Sequence, residues 1–264
     1  MPMDAGRVDS LVDSHCHLDA GEFDADRPMV VERARNAGVR RQVVPAIIAA
    51  SWPKLRDVCA GDDGLFPAYG LHPMFLDEHR EAHLDDLRAW LERERPVAVG
   101  ECGLDHFTDD LDPAAQSTYF DAQLRLAREF DLPVIVHARR AVDAVTAAIR
   151  KVGQLRGVVH SFSGSRQQAE QLWEQGFMLG LGGPVTYDRA RRLRELAATM
   201  PLEWLLLETD APDQPDAAIR GERNEPARLT VVLETIAQLR GVAPSEVAAA
   251  TSANAERLFA LPPP

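Results

Sequence analysis

The chain is short of cysteine, of lysine and of long apolar runs. Its three cysteines, Cys16, Cys59 and Cys102, are sparse and odd in number, which excludes a disulfide framework. No run approaches the roughly 18 apolar residues that a membrane span requires. Met1–Ser10 is mostly polar and carries Asp4 and Asp9, without the basic-then-apolar layout of a signal peptide. The expectation is a cytoplasmic protein with no membrane partner. Of the 29 basic residues only Lys54 and Lys151 are lysine. Basic residues are also outnumbered by 41 acids, for a formal net charge of −12. That excludes a broad nucleic-acid-coating surface, which would be basic. It leaves room for an enzyme that grips a few phosphates through metal ions.

What is present is an ordinary soluble composition, 45% hydrophobic and 27% charged over 264 residues. Short apolar, β-branched runs alternate with helical stretches. The predicted strands are Leu11–Asp13, Gln42–Ala46, Phe66–Gly70, Val97–Gly100, Val134–Val136, Gly157–Val159, Phe177–Leu181 and Trp204–Leu207. Their nearly continuous apolar character suits parallel strands buried on both faces. Between them, sets such as Leu193, Leu196, Ala197 and Met200 recur at helical spacing. After the eighth strand, Pro226–Arg240 and Pro244–Phe259 read as two closing helices, and Leu261–Pro264 as a frayed tail.

Eight such units in this length predict an α/β fold, a single-domain (β/α)8 TIM barrel spanning residues 1–264. The rival is an open doubly wound sheet, which normally shows a Gly-rich phosphate turn. Gly180-Leu181-Gly182-Gly183 is the nearest string, but it lacks the fingerprint spacing and runs into Pro184.

In barrel enzymes, catalytic groups gather at the C-terminal ends of strands. His15 and His17 end the first predicted strand, His72 follows the third, and Glu101 ends the fourth. His137 ends the fifth, His160 the sixth, and Asp210 follows the eighth. Singly, each has a bland alternative. The two histidines can be a solvated pair, Glu101 half of a structural ion pair, His137 and His160 core histidines, and Asp210 a cap. Their alignment at matching strand ends favours a metal centre. Imidazole nitrogens and carboxylate oxygens together suit divalent ions. Strand alternation turns Cys16 and Cys102 away from a site that His15, His17 and Glu101 face.

These strings together resemble the TatD family of metal-dependent deoxyribonucleases, within the amidohydrolase superfamily. The marks are Asp13-Ser14-His15-Cys16-His17-Leu18-Asp19, Gly70-Leu71-His72-Pro73, Gly100-Glu101-Cys102-Gly103-Leu104-Asp105, Leu132–His137, His160-Ser161-Phe162-Ser163-Gly164 and Leu207–Pro212. The resemblance covers nearly the whole chain and implies two divalent ions, Mg, Mn or Zn. It implies that His15, His17 and Asp210 hold one ion, that His137 and His160 hold the second, and that Glu101 bridges them. Many amidohydrolase relatives bridge with a carbamylated lysine. Neither Lys54 nor Lys151 lies near a site strand end, so Glu101 is the bridge this sequence offers.

His72 is implied to touch substrate phosphate, and Arg139 suits bidentate phosphate recognition. Asn224 is expected to cap the following helix. The chain departs from the commonest family pattern at His106-Phe107 and at Gly182–Tyr187, near the expected pocket mouth. The implied activity is 3′-5′ exonuclease hydrolysis of a phosphodiester, with Asp210 and Glu101 as the catalytic carboxylates. With few basic residues near the site, the expected partners are DNA ends or short oligonucleotides. The alternative is an amidohydrolase-type enzyme acting on an amide, ester or lactone of a small metabolite. A third reading is a binding scaffold that has lost catalysis.

Overall fold

The computed structural model describes residues 10–108 and 110–262. The expectation for Met1–Ser10 therefore lies outside the described residues except at Ser10. Eight parallel strands run in chain order around one sheet. They are β1 (Leu11–Asp13), β2 (Val39–Pro45), β3 (Leu65–Tyr69), β4 (Ala98–Asp105), β5 (Val134–Arg139), β6 (Gly157–Val159), β7 (Phe177–Leu181) and β8 (Leu205–Leu207). The sheet closes where the Ser14 amide donates to the Leu207 carbonyl at 2.9 Å and the Asp210 amide donates to the His15 carbonyl at 2.9 Å. Around it lie α1 (Arg27–Asn36), α2 (Trp52–Ala60), α3 (Ala82–Glu94), α4 (Pro113–Glu129), α5 (Val142–Val152), α6 (Arg166–Trp173), α7 (Arg191–Thr199), α8 (Leu229–Arg240) and α9 (Pro244–Phe259). This is the (β/α)8 TIM barrel. None of these helices is long and apolar enough to cross a membrane.

Two apolar layers hold the barrel together. Inside, each strand gives one residue to a single cluster: Val12, Val43, Ala68, Ala98, Ile135, Val158, Met178 and Leu206. Leu258 and Phe259, at the end of α9, and Leu261 pack against that ring. The predicted frayed tail is thus corrected in part. Leu261 is buried, and the Pro262 carbonyl accepts from Arg41 Nη1 at 3.2 Å. Apolar contact outweighs the usual fraying of a terminus here, and Pro263–Pro264 lie outside the described residues. The outer layer joins the strands to the surrounding helices and contains Cys16, Cys59 and Cys102.

β4 and β5 outrun their predicted ends, so Glu101 and His137 sit within strands. A bulge lies between Val99 and Cys102, the kind of irregularity that re-aims a side chain beside a site. Beyond it, Gly103 allows the close approach of β4 to β5, because a Cβ there would meet the His137 carbonyl oxygen at 2.0 Å. The Gly180–Gly183 string serves the same end. A Cβ at Gly180 would stand 2.1 Å from Glu208 Oε2, and one at Gly183 2.1 Å from the Gln214 carbonyl. These glycines admit the segment after β8 and do not form a phosphate turn.

Candidate metal centre

The C-terminal ends of the strands open into a cavity of about 770 Å³. Glu101 lies at its base, 2% exposed, with its two oxygens facing different groups. Oε2 is 3.1 Å from His15 Nε2 and 3.5 Å from His17 Nε2. The same two nitrogens lie 3.3 and 3.6 Å from Asp210 Oδ1. Oε1 is 2.8 Å from His160 Nε2, 2.9 Å from His72 Nε2 and 3.3 Å from His137 Nδ1. Donor atoms of His15, His17 and Asp210 lie within 4.8 Å of one another, as do those of His72, Glu101 and His137, and of His15, Glu101 and His160. All six expected ligands and His72 therefore meet in one place. The cysteines do not join them: Cys16 and Cys102 Sγ each lie 3.9 Å from a backbone carbonyl, of Val43 and Ile135.

Hydrogen bonds away from the centre decide which ring nitrogen each histidine presents. His17 Nδ1 lies 3.1 Å from the Pro45 carbonyl, which can only accept, so Nε2 is left for the site. His137 Nε2 lies 2.8 Å from Asp105 Oδ2, leaving Nδ1 toward Glu101. Asp105 is held in turn by the Phe107 amide at 2.9 Å. His72 Nδ1 accepts from the Met74 amide at 3.2 Å, so its Nε2 points to Glu101. A partner fixing the far nitrogen is the usual support of a metal-ligating histidine.

The electrostatics fit a cation. Burial opposes the charge on Glu101, yet His160, His72 and His15 hold its carboxyl well below the usual range. Burial likewise opposes ionisation of Asp210, but His17 and His15 bring it down to about 2. Burial lowers His15 to about 4, while His17 is held well above its ordinary value because Asp210 and Glu101 outweigh its own desolvation. Two buried carboxylates thus stay ionised among five imidazoles. His15 Nδ1 and His160 Nδ1 have no hydrogen-bond partner.

This barrel, with its gathered histidines and carboxylates, has counterparts among known proteins. The family profile described as TatD related DNase matches residues 12–260. The chain belongs to the TatD family. The uncharacterized metal-dependent hydrolase YjjV of Escherichia coli K12 is 41% identical over 255 residues, 96% of this chain and 98% of that protein. The YjjV crystal structure matches with a TM-score of 0.92 at 40% identity, covering 96% of this chain and 98% of that one. The 3′-5′ ssDNA/RNA exonuclease TatD of Erwinia tasmaniensis is 35% identical over 259 residues, 95% of this chain and 100% of that protein. The TatD-family chain is accordingly a metal-dependent hydrolase.

Three supporting acids in this TatD-family site escaped sequence reasoning as functional residues. Asp105 is one. Asp13 is the second: it accepts from the Thr209 amide at 3.0 Å, the Thr209 hydroxyl at 2.5 Å and the His15 amide at 3.2 Å, tying the end of β1 to the segment after β8. Burial pushes its carboxyl up to about 7. Glu208 is the third, accepting from the Ser161 amide at 2.5 Å and lying 3.8 Å from His160 Nδ1. Burial pushes it to about 8. The available signal was their place inside the quoted strings, where an acid abuts each run of ligands.

The other expectations divide. Arg139 reaches the cavity wall, stacked on Phe107 with Cζ 3.5 Å from the ring centre. Asn224 is not a helix cap. Its Nδ2 donates to the Thr209 carbonyl at 2.8 Å and the Asp213 carbonyl at 2.9 Å. Its Oδ1, the atom a cap would use, accepts from the Glu225 amide at 2.9 Å instead of from an amide inside a helix. The turn that begins at Pro226 has Glu225 before it, with no side-chain cap. Gly182 and Pro184 do line the cavity, and the Tyr187 hydroxyl donates to the Pro215 carbonyl at 3.0 Å.

Proposed function

We propose that this TatD-family chain is a two-metal phosphodiester hydrolase that removes nucleotides from the 3′ end of single-stranded DNA. The observation that carries the reading is the division of Glu101: one oxygen within the His15, His17 and Asp210 group, the other within the His72, His137 and His160 group. His15, His17 and Asp210 would hold one ion, His137 and His160 the second, and Glu101 would join them. Bound divalent ions supply Lewis acidity at a phosphoryl oxygen and bring the pKa of water toward neutrality.

The chain's own groups supply the rest. Asp210 Oδ1 faces the histidines, while Oδ2 accepts from Gln214 Nε2 at 2.5 Å. Held ionised and aimed, this carboxylate orients the attacking water and takes its proton. Asp105 and Pro45 keep His137 and His17 turned toward the centre. His72 borders the second group on the cavity side, where it meets the substrate phosphate, and Arg139 waits at the rim. The relative in Erwinia carries the name of a 3′-5′ ssDNA/RNA exonuclease, which supports the direction and the single strand.

The test is end-labelled single-stranded DNA incubated with the protein and Mn²⁺ or Mg²⁺, beside Asp210→Asn. A ladder that shortens from the 3′ end and vanishes in the variant is expected. No ladder from protein that holds metal by elemental analysis would overturn the nuclease reading and move the search to esters and amides of small metabolites.

A further inference from the structure

We propose that a second cleft beside the metal centre binds the backbone 5′ to the scissile bond, with Phe107 as a stacking surface for a base. The inference rests on the phosphodiesterase reading and extends it to how the rest of the strand is held. The cleft has a volume of about 400 Å³ and is lined by His106, Arg140, Asp143, Gly164 and Arg192. Ser163 lines both this cleft and the metal cavity, so the two adjoin.

Between them stands an unusual surface. Phe107 is 44% exposed, one of four large apolar side chains that are exposed among the described residues. It is braced by two guanidiniums, Arg139 Cζ at 3.5 Å and Arg140 Cζ at 4.7 Å from the ring centre. Neither arginine has a carboxylate at ion-pair distance among the described residues; Arg139 acts on the Asp105 carboxyl from further off. Arg192 gives one nitrogen to the Ser163 carbonyl at 2.8 Å and has no ion pair among the described residues. The one acid in the cleft, Asp143, already accepts from Gln168 Nε2 at 2.7 Å. In a chain of net charge −12, three arginines gathered beside a half-exposed aromatic ring mark a place built for an anion with a flat apolar part.

A single nucleic-acid strand has that chemistry. Its phosphates suit the guanidinium fork, and its unpaired bases stack on aromatic faces with little sequence preference. A duplex keeps those faces inside its own stack. The opposite wall fixes the direction. Glu22 and Asp213 line the metal cavity there and repel phosphate. The strand therefore leaves the metal centre over Arg139 and Phe107, toward Arg140 and Arg192. Arg192 belongs to α7, far from the site strings in sequence, so only the fold brings it here.

The experiment compares the wild type with Phe107→Ala and with the double variant Arg140→Glu/Arg192→Glu, all loaded with Mn²⁺. One substrate is bis(p-nitrophenyl) phosphate, small enough for the metal cavity alone. The other is a fluorescent oligothymidylate of about ten nucleotides, within the span such grooves cover. Hydrolysis of the small ester should stay within about twofold in both variants, while KM for the oligonucleotide rises about tenfold or more. Binding followed by fluorescence anisotropy should also lose salt dependence in the double variant, by a slope of about 0.7 for each phosphate contact removed. Variants that match the wild type on both substrates, or lose both activities equally, would overturn the cleft and leave the hydrolase reading standing. A wild type that neither cleaves nor binds the oligonucleotide would overturn both.

Discussion

The two oxygens of Glu101 face different donor groups, and that sets the clearest demand on a single residue. Removing an outer partner of a metal ligand alone costs about 10–100-fold in affinity or activity. Glu101→Ala removes the carboxylate that both groups share, so on the two-metal reading activity should fall by at least about a hundredfold and elemental analysis should find metal lost from both. Two ions retained by the variant would sink the bridge. Asp210→Asn differs, because an amide oxygen can stay near His15 and His17 without accepting a proton. Turnover should drop about 10²–10⁴-fold, the usual contribution of a general base, with metal content largely kept. Surviving turnover would remove Asp210 as the base. Residue identities at the centre were legible because His15, His17, Glu101, His137, His160 and Asp210 each end or follow an apolar run. Asp105 and Glu208 stand in the same strings, but their partners are 32 and 47 residues away, and no local pattern shows such pairings.

Elements were more legible in their cores than at their ends. Gly157–Val159 and Phe177–Leu181 match their predicted bounds, since an apolar run between turn residues leaves little choice. β4 continued to Asp105 through Gly103, where closeness to the His137 carbonyl, a tertiary fact, decides the matter. The segment from Asp210 to Arg228 was least legible, since its order comes from side chains reaching back over it. Asn224 shows this. Asn224→Ala would leave the Thr209 and Asp213 carbonyls without their donor, at a cost of about 1–3 kcal/mol. Urea unfolding of metal-free protein should show the loss, and Mn²⁺ titration should show weaker binding beside Asp210. An unchanged midpoint would mean that the turn holds without this anchor.

Asp216 secures the same segment from its other end. Arg228 donates to its oxygens at 2.7 and 2.9 Å, and the Ala218 amide donates at 2.9 Å. Burial raises this carboxyl, but those donors outweigh it and hold it below the ordinary value. In the unfolded chain an aspartate titrates near about 3.9. The folded state therefore gives up the proton at lower pH. Its stabilising effect is complete above about 4 and fades as pH falls through the folded value. The Tm gap between wild type and Asp216→Asn should be widest near neutrality and narrow toward pH of about 3. A gap that stays constant with pH would assign the loss to packing.

At the scale of the whole molecule, the barrel has one sealed end and one charged end. α9 and Leu261 close the inner ring with apolar contact, whereas the other end holds two ionised carboxylates under five imidazoles. The sequence displayed the first through its repeating strands and helices, and the second through histidines at strand ends. It did not display the balance of charge between them, because net charge says nothing of where the charges gather. On the two-metal reading, that balance makes the centre dependent on its ions. Without them, protonated histidines must offset Glu101 and Asp210, and the imidazoles repel one another: His160 helps hold His15 down. A ligand present at a hundred times its Kd stabilises the folded state by about 2.7 kcal/mol. For a chain of this size, each kcal/mol moves Tm by about 2–4 °C. Chelation at about pH 8 should then lower Tm by roughly 5–10 °C for each ion removed, with Mn²⁺ restoring it. The shift should shrink at acid pH, where protons compete with metal for the same nitrogens. Scanning calorimetry with metal analysis at each step reads both effects. A Tm that stays put while the ions demonstrably leave would show that the fold carries its buried charges unaided, and would return the scaffold reading to contention.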